Sequence, residues 1–524
     1  MRGLRIFEPF FDLCPPTAAR SSAVERTVLY WKGRHRRATD PPRTPYLRLM
    51  RTSLLISALL LCSCVRNPAT GKLELDLVSH DQEVQMGQQA KQETEQTLGV
   101  YKEKPALNEY VAALGKELAA VSTEPQDPFS YEIVEDSSVN AFALPGGPIF
   151  VTRGILGYLN TEAELAAVMG HETGHVVAHH SANQMSKAEL AQVGLGIGSA
   201  LSPTLGSLAQ AAGAGLQLLF LKYSRDDETQ ADELGFRFMT KAGYDPNQML
   251  PLFTLLDGVG KQAGGGKTPD WLETHPNPGN RFEATQQRLK TELKGSTAGM
   301  KVNRDAYLKV IDGIVFGEDP RQGYFKGDTF LDPALKFLWT LPKGWAHQNS
   351  PQSVAAQSPK QDAIVALQAA GKLSPEEAAQ KLFSQPGLVQ GQPVDVHGAK
   401  IARSFQAKTQ QGSIEGVVAF TPYQGSTYML LGYTAAGGLA AYGDTFLSSM
   451  GSFGELKDAS ALNAQPARVK IVHTDAPMSV ADFNAKYPST IKADLLALIN
   501  GVDAGGQIPA GYAKQIVGGV GEQK

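Results

Sequence analysis

The stretch HETGHVVAHH, residues 171–180, sets His171 and His175 four apart, with Glu172 directly after the first. On one helix, residues so spaced stand about 5–6 Å apart at Cβ on a single face. Two imidazoles placed that way can both reach one Zn²⁺ at about 2.0–2.1 Å. Glu172 falls in a neighbouring sector, suited to a metal-bound water rather than to the metal. Such a centre needs a third protein ligand, and a catalytic zinc keeps its fourth position for water. The segment YSRDDETQADELG, residues 223–235, supplies candidates. Glu228 and Asp232 are also four apart: Glu228 can complete the ligand set, and Asp232 can accept the N–H of a ligand histidine from behind. Acidic pairs of this spacing are common on solvated helix faces, so the pair draws its weight from the histidines. The residues suit a centre holding one Zn²⁺ per chain and a metal-bound water that Glu172 can contact.

The elements that must position these groups are legible nearby. Thr161-Glu-Ala-Glu164 is a capping box ahead of the apolar run Leu165–Met169, so a helix starts there and carries His171 and His175 some turns deeper. His179 and His180 lie a further turn along, too far to join the same metal, and read as structural. His397 and His473 read as ordinary. Asn140–Val151 (NAFALPGGPIFV) reads as strand, turn, strand around Leu-Pro-Gly-Gly-Pro. Glu83–Leu98 and Ala106–Val121 read as helices. Ala191–Leu221 carries no charged residue. A single membrane crossing there would part His171 and His175 from Glu228, so a helical hairpin covering the cleft is expected.

Net charge is −3, which argues against nucleic-acid binding. Residues 1–49 alone carry +6 and the remainder −9. The cysteines are Cys14, Cys62 and Cys64, so the body of the chain has neither a disulfide framework nor a thiolate zinc site. MRTSLLISALLLCSC, residues 50–64, reads as a secretory signal whose apolar run, Leu54–Leu61, is too short to span a bilayer. Its end resembles a bacterial lipobox with Cys64 as the lipidated residue. Residues 1–49 read as a misassigned or disordered extension ahead of a start at Met50.

The expected class is α+β. After the signal, residues 65–318 form a mainly helical zincin-like region with a small edge-strand sheet. Residues 319–457 form an α+β domain with an antiparallel sheet and no catalytic constellation, and 465–520 form a compact βααβ module. No fixed-period repeat runs through the chain.

Four motifs in order carry a family resemblance: NAFALPGGPIFV, HETGH, YSRDDETQADELG and THPNPGNR at 274–281. Over residues 75–300 they resemble the M48 zinc metallopeptidases, gluzincins with two histidine ligands and a later glutamate. The resemblance implies zinc ligands His171, His175 and Glu228, with Glu172 as general base acting on a protein or peptide substrate. It implies that the strand of Asn140, Ala141, Phe142 and Ala143 pairs with extended substrate. His275 and Arg281 match a later motif near the cleft and join the catalytic candidates. His275 either stabilises the oxyanion or occupies the open zinc position at rest. Residues 465–520 resemble a LysM module, implying contact with peptidoglycan, but Thr474-Asp-Ala-Pro stands where Gly-Asp-Thr-Leu is usual. Residues 319–457 resemble the small α/β modules of photosystem-associated lumenal proteins. The expectation is an envelope endopeptidase anchored by lipid at Cys64, with Val65 favouring the outer membrane, and acting on misfolded or unassembled proteins. The rival expectation is a proteolytically silent wall-binding or chaperone-like lipoprotein.

Overall fold

The computed structural model describes residues 64–519, except 68, 70, 72, 76, 195–222, 263–270, 272–273, 276–277, 294–295 and 410–411. The signal segment up to Ser63 and most of the uncharged stretch lie outside the described residues. Among the described residues no helix is long and apolar enough to cross a membrane. Helices and sheets are mixed, as in an α+β protein.

A short antiparallel pair, β1 (Cys64–Arg66) and β2 (Leu73–Leu75), opens the described chain. Helices α1 (His80–Thr97) and α2 (Pro105–Ala120) follow, α1 started by a capping box of Ser79 and Gln82. The expected strand–turn–strand unit forms from β4 (Ala141–Ala143) and β5 (Pro148–Thr152). Its turn needs glycine, because Gly146 has φ +64° and a Cβ there would come within 2.5 Å of the Val84 backbone. Sequence reading left out β3 (Ser130–Val134), which pairs parallel with β5 and makes the order β3–β5–β4.

The chain then runs through α3 (Arg153–Tyr158), α4 (Glu162–Val177), α5 (His180–Gly194), α6 (Arg225–Lys241), α7 (Met249–Gln262), α8 (Pro278–Glu292) and α9 (Arg304–Ile311). Every residue of α4 is buried, and α2, α6, α7 and β4 all pack on it. The closest neighbour is α6. A Cβ on Gly174 would sit 2.8 Å from the Ala231 carbonyl oxygen, and one on Gly235 would sit 2.8 Å from the His171 nitrogen. The two glycines let the helix backbones approach so that short acidic side chains of α6 reach the histidines of α4.

The βααβ unit at the C-terminal end has strands Ala467–Thr474 and Gly511–Gly518 around helices Val480–Lys486 and Ala493–Ile499. Its Val469, Phe483, Leu496 and Ile516 belong to the same apolar cluster as Leu156, Leu165 and Val168. Lys514, fully buried, donates to the carbonyl oxygens of Gly157, Tyr158 and Leu159 at 3.2, 2.8 and 2.8 Å. These carbonyls lie at the end of α3, where helical acceptors lack partners of their own. Burial draws the Lys514 amine down to about 7. The unit therefore braces the turn that leads into α4.

Between these parts lies a seven-stranded antiparallel sheet. Its order is Leu388–Pro393, Ile401–Thr409, Gly412–Tyr423, Ser426–Ala435, Ala363–Ala369, Ser353–Gln357 and Ala346–Ser350. Val417, Ala419 and Leu430 face one apolar cluster, and Val418, Phe420 and Leu431 face another. Both faces are covered, so the central strands are buried along most of their length, where the sequence reads as alternating segments. A second sheet of four short strands, not anticipated from sequence, adjoins it.

Candidate metal centre

Two capping boxes set the frame. Thr161 Oγ1 accepts from the Glu164 N–H at 3.0 Å while the Glu164 carboxylate accepts from the Thr161 N–H at 3.3 Å, fixing the start of α4. Ser224 and Asp227 do the same for α6. With both helices started, His171 and His175 face Glu228 and Asp232 across the glycine contact. His175 Nε2 lies 3.0 Å from His171 Nε2 and 3.4 Å from Glu228 Oε1, and His171 Nε2 lies 3.6 Å from Glu228 Oε2. His275 Nδ1 joins them at 3.2 Å from His171 Nε2 and 2.9 Å from Glu228 Oε1. One donor atom from each of His171, His175, Glu228 and His275 lies within 4.8 Å of the others, and all four residues are buried.

The surroundings point the right nitrogens at this cluster. His171 Nδ1–H donates to Asp232 Oδ1 at 2.9 Å, which leaves the Nε2 lone pair facing inward. His175 is held by a chain that sequence reading missed. Gln230 Oε1 lies 2.7 Å from His180 Nε2, and His180 Nδ1 lies 2.8 Å from His175 Nδ1. With the amide oxygen accepting, His180 carries its proton on Nε2 and accepts from His175 Nδ1–H, so His175 Nε2 is also free. His180 lies outside the four-residue cluster but orients a member of it. Its position past the end of α4 hid this, because His179 at φ 51° turns the chain back on itself. Two rings close the pocket: Tyr223 stacks on His175 at 3.9 Å and Trp271 on His275 at 4.3 Å between centroids.

Arg281, expected from sequence among the catalytic groups, has its guanidinium engaged by carboxylates. It donates to both oxygens of Asp232 at 2.7 Å and lies 3.0 Å from Glu228 Oε2. Burial alone would raise both carboxyls. At Asp232, Arg281 outweighs it and holds the group below its ordinary value. At Glu228, His275 and then Arg281 hold the group well below. Burial draws His175 well below the ordinary imidazole value, keeping it neutral as a metal ligand must be.

Glu172 stands apart. It is wholly buried, neither carboxylate oxygen has a hydrogen-bond partner, and its nearest ionisable contact is His275 Nε2 at 3.6 Å. Burial pushes its carboxyl above the ordinary range. A buried carboxylate without a donor costs several kcal/mol unless something at the site answers it. Converging imidazoles, one anionic carboxylate and an orphaned base beside them fit a zinc ion and its water.

β4 is the edge of its sheet and packs against α4, with Ala141, Phe142 and Ala143 buried and Asn140 held by the Thr152 hydroxyl at 3.1 Å. Cys64 lies away in chain terms, opposite Leu75 in the first hairpin. Asn67 links that hairpin to the site by donating to the Ala178 carbonyl at the end of α4, 2.9 Å away.

A helix bearing two imidazoles, a carboxylate from α6 packed against it and an unpaired glutamate between them define a metallopeptidase-type centre. Residues 105–289 match the family model described as Peptidase family M48, so the chain carries an M48 metallopeptidase region. It is 34% identical over 194 residues to a putative beta-barrel assembly-enhancing protease of Vibrio cholerae, covering 36% of this chain and 40% of that one. It is 33% identical over 197 residues to the mitochondrial metalloendopeptidase OMA1 of Schizosaccharomyces pombe, covering 36% and 55%. The chain thus spans about half the length of these relatives, or less. Among solved structures, cyanobacterial PsbP from Synechocystis matches 24% of this chain and 91% of its own, at 13% identity and a TM-score of 0.20.

Proposed function

We propose that the chain is a zinc endopeptidase of the bacterial envelope, acting on misfolded or unassembled proteins. The observation that carries the reading is the orphaned Glu172 carboxylate beside four converging donors. Zinc held by His171, His175 and Glu228 would supply Lewis acidity to a water and to the scissile carbonyl. Glu172 takes the proton of the attacking water and returns it to the leaving amine, a role its raised affinity for a proton suits. Asp232 and His180 hold the ligand tautomers, and Arg281, between Asp232 and Glu228, offsets the charge of both. His275 Nδ1 sits in the ligand cluster, which supports a resting-state fourth ligand over an oxyanion donor. The edge position of β4 supports a strand-like substrate paired along Asn140–Ala143.

The envelope location rests on the signal-like segment and Cys64, and the names of the bacterial relatives suggest a role in beta-barrel assembly. Residues 465–520 serve here as a brace for the α3–α4 turn, the shared core and Lys514 supporting that role over glycan contact. Glu172→Gln is expected to keep its zinc and lose casein cleavage by about 10²–10⁴-fold. The wild type is expected to lose the same activity to a zinc chelator. Near-normal cleavage by Glu172→Gln would overturn the assignment and leave the silent, chaperone-like reading.

A further inference from the structure

At the far end of α4 a second group of metal-type donors meets, built from different parts of the chain. His80 is the first residue of α1 and Glu83 lies one turn on. Glu124 and Asp127 come from the connection between α2 and β3, and His179 from the turn between α4 and α5. His179 Nδ1 lies 2.7 Å from Glu83 Oε2 and its Nε2 lies 3.4 Å from Glu124 Oε2. His80 Nε2 lies 3.4 Å from Asp127 Oδ1. One donor atom from each of His80, Glu83 and His179 lies within 4.8 Å of the other two.

The second observation is the state of the carboxylates. The Asp127 side chain is 2% exposed and turned to His80, yet its Oδ2 has no hydrogen-bond partner. Glu124 Oε2 is sealed too, with only the 3.4 Å approach of His179 Nε2 to answer it. Among the described residues no lysine or arginine pairs with Glu83, Glu124 or Asp127; their ionic contacts are the two histidines alone. Three carboxyls meet two imidazoles in a largely buried place: against its burial, Glu124 and Glu83 draw the His179 imidazole up to about 10, and burial with Glu124 beside it draws the Asp127 carboxyl up to about 6, so acid groups outnumber the bases that answer them.

We propose that His80, Glu83 and His179 form a second divalent-cation site, with Asp127 as the carboxylate that completes it. Mixed imidazole and carboxylate donors select borderline ions such as Zn²⁺ or Co²⁺ over Ca²⁺ and Mg²⁺, which take oxygen donors. Ligands at about 2.0–2.2 Å from one zinc stand roughly 3.4 Å apart, and the His179–Glu83 and His80–Asp127 spacings are 2.7 and 3.4 Å. His80, half exposed, gives the ion an entry path. The ion would tie the start of α1 and the α2–β3 connection to the residue where the metal-binding helix ends. Its role is structural, holding the turn from which His180 reaches back to His175.

Metal content of the full chain tests this, with Co²⁺ as the probe, read by elemental analysis and by absorption. Two equivalents are expected in the wild type and one in His80→Ala, whose side chain is exposed enough that folding is not at risk. A chain carrying His171→Ala and His175→Ala is expected to retain one equivalent and to lose it when His80→Ala is added. A single equivalent in the wild type that His80→Ala leaves in place would overturn the proposal. A second equivalent indifferent to both His80→Ala and Glu83→Gln would do the same. A single equivalent in the wild type that survives His171→Ala with His175→Ala but is lost with His80→Ala would sink the first centre while leaving the second standing.

Discussion

The peptidase region and the sheet region of residues 319–457 bury polarity in opposite ways. In the first, one helix carries Glu162, Glu164, His171, Glu172 and His175 into the core, and Glu228, Asp232 and Arg281 meet them there. In the second, both faces of the large sheet are covered by apolar clusters, and the buried polar groups are mostly hydroxyls such as Thr421, Thr427 and Ser449. Buried ion pairs are often no better for stability than apolar residues of the same volume. A core that keeps so many is held for its chemistry, whereas the sheet region is held by area and packing.

Three substitutions would break or sharpen this contrast. Arg281→Met leaves two buried carboxylates without their cation. It is expected to cost about 3–5 kcal/mol in denaturant unfolding and to empty the zinc site; a stable, metal-loaded variant would break the comparison. Phe446→Ala removes a fully buried ring packed against Gly432 in the sheet region. About 3 kcal/mol of stability should go, with zinc content and turnover per folded molecule unchanged. A matching fall in turnover would show that the two regions are coupled. His180→Phe keeps volume but frees His175 Nδ1. Metal affinity should weaken by about 10–100-fold, with the unfolding midpoint of the metal-free chain nearly unmoved.

The chemical core was legible because its spacing is local. Four-residue separation on a helix fixes which side chains share a face, so His171 with His175 and Glu228 with Asp232 could be read directly. The capping boxes at Thr161 and Ser224 obey the same short-range logic. The pairing of His180 with His175 could not be read, since five residues along a continuous helix would point it elsewhere. Only the left-handed turn at His179 brings it back. The parallel pairing of β3 with β5 was hidden for a related reason: no hairpin turn joins them, and partners distant in sequence leave no periodic mark.

By itself the sequence determined the periodic faces, the helix starts, the glycine turn at 144–148 and the kind of metal chemistry that the residue types allow. Tertiary structure alone decided that Arg281 serves Asp232 and Glu228, that Lys514 caps the end of α3 from more than 350 residues away, and that His80, Glu83 and His179 meet. Each of these is a charge carried into a place where water is absent. Which partner answers such a charge depends on the packing of whole helices, and that is written in no single stretch of the chain.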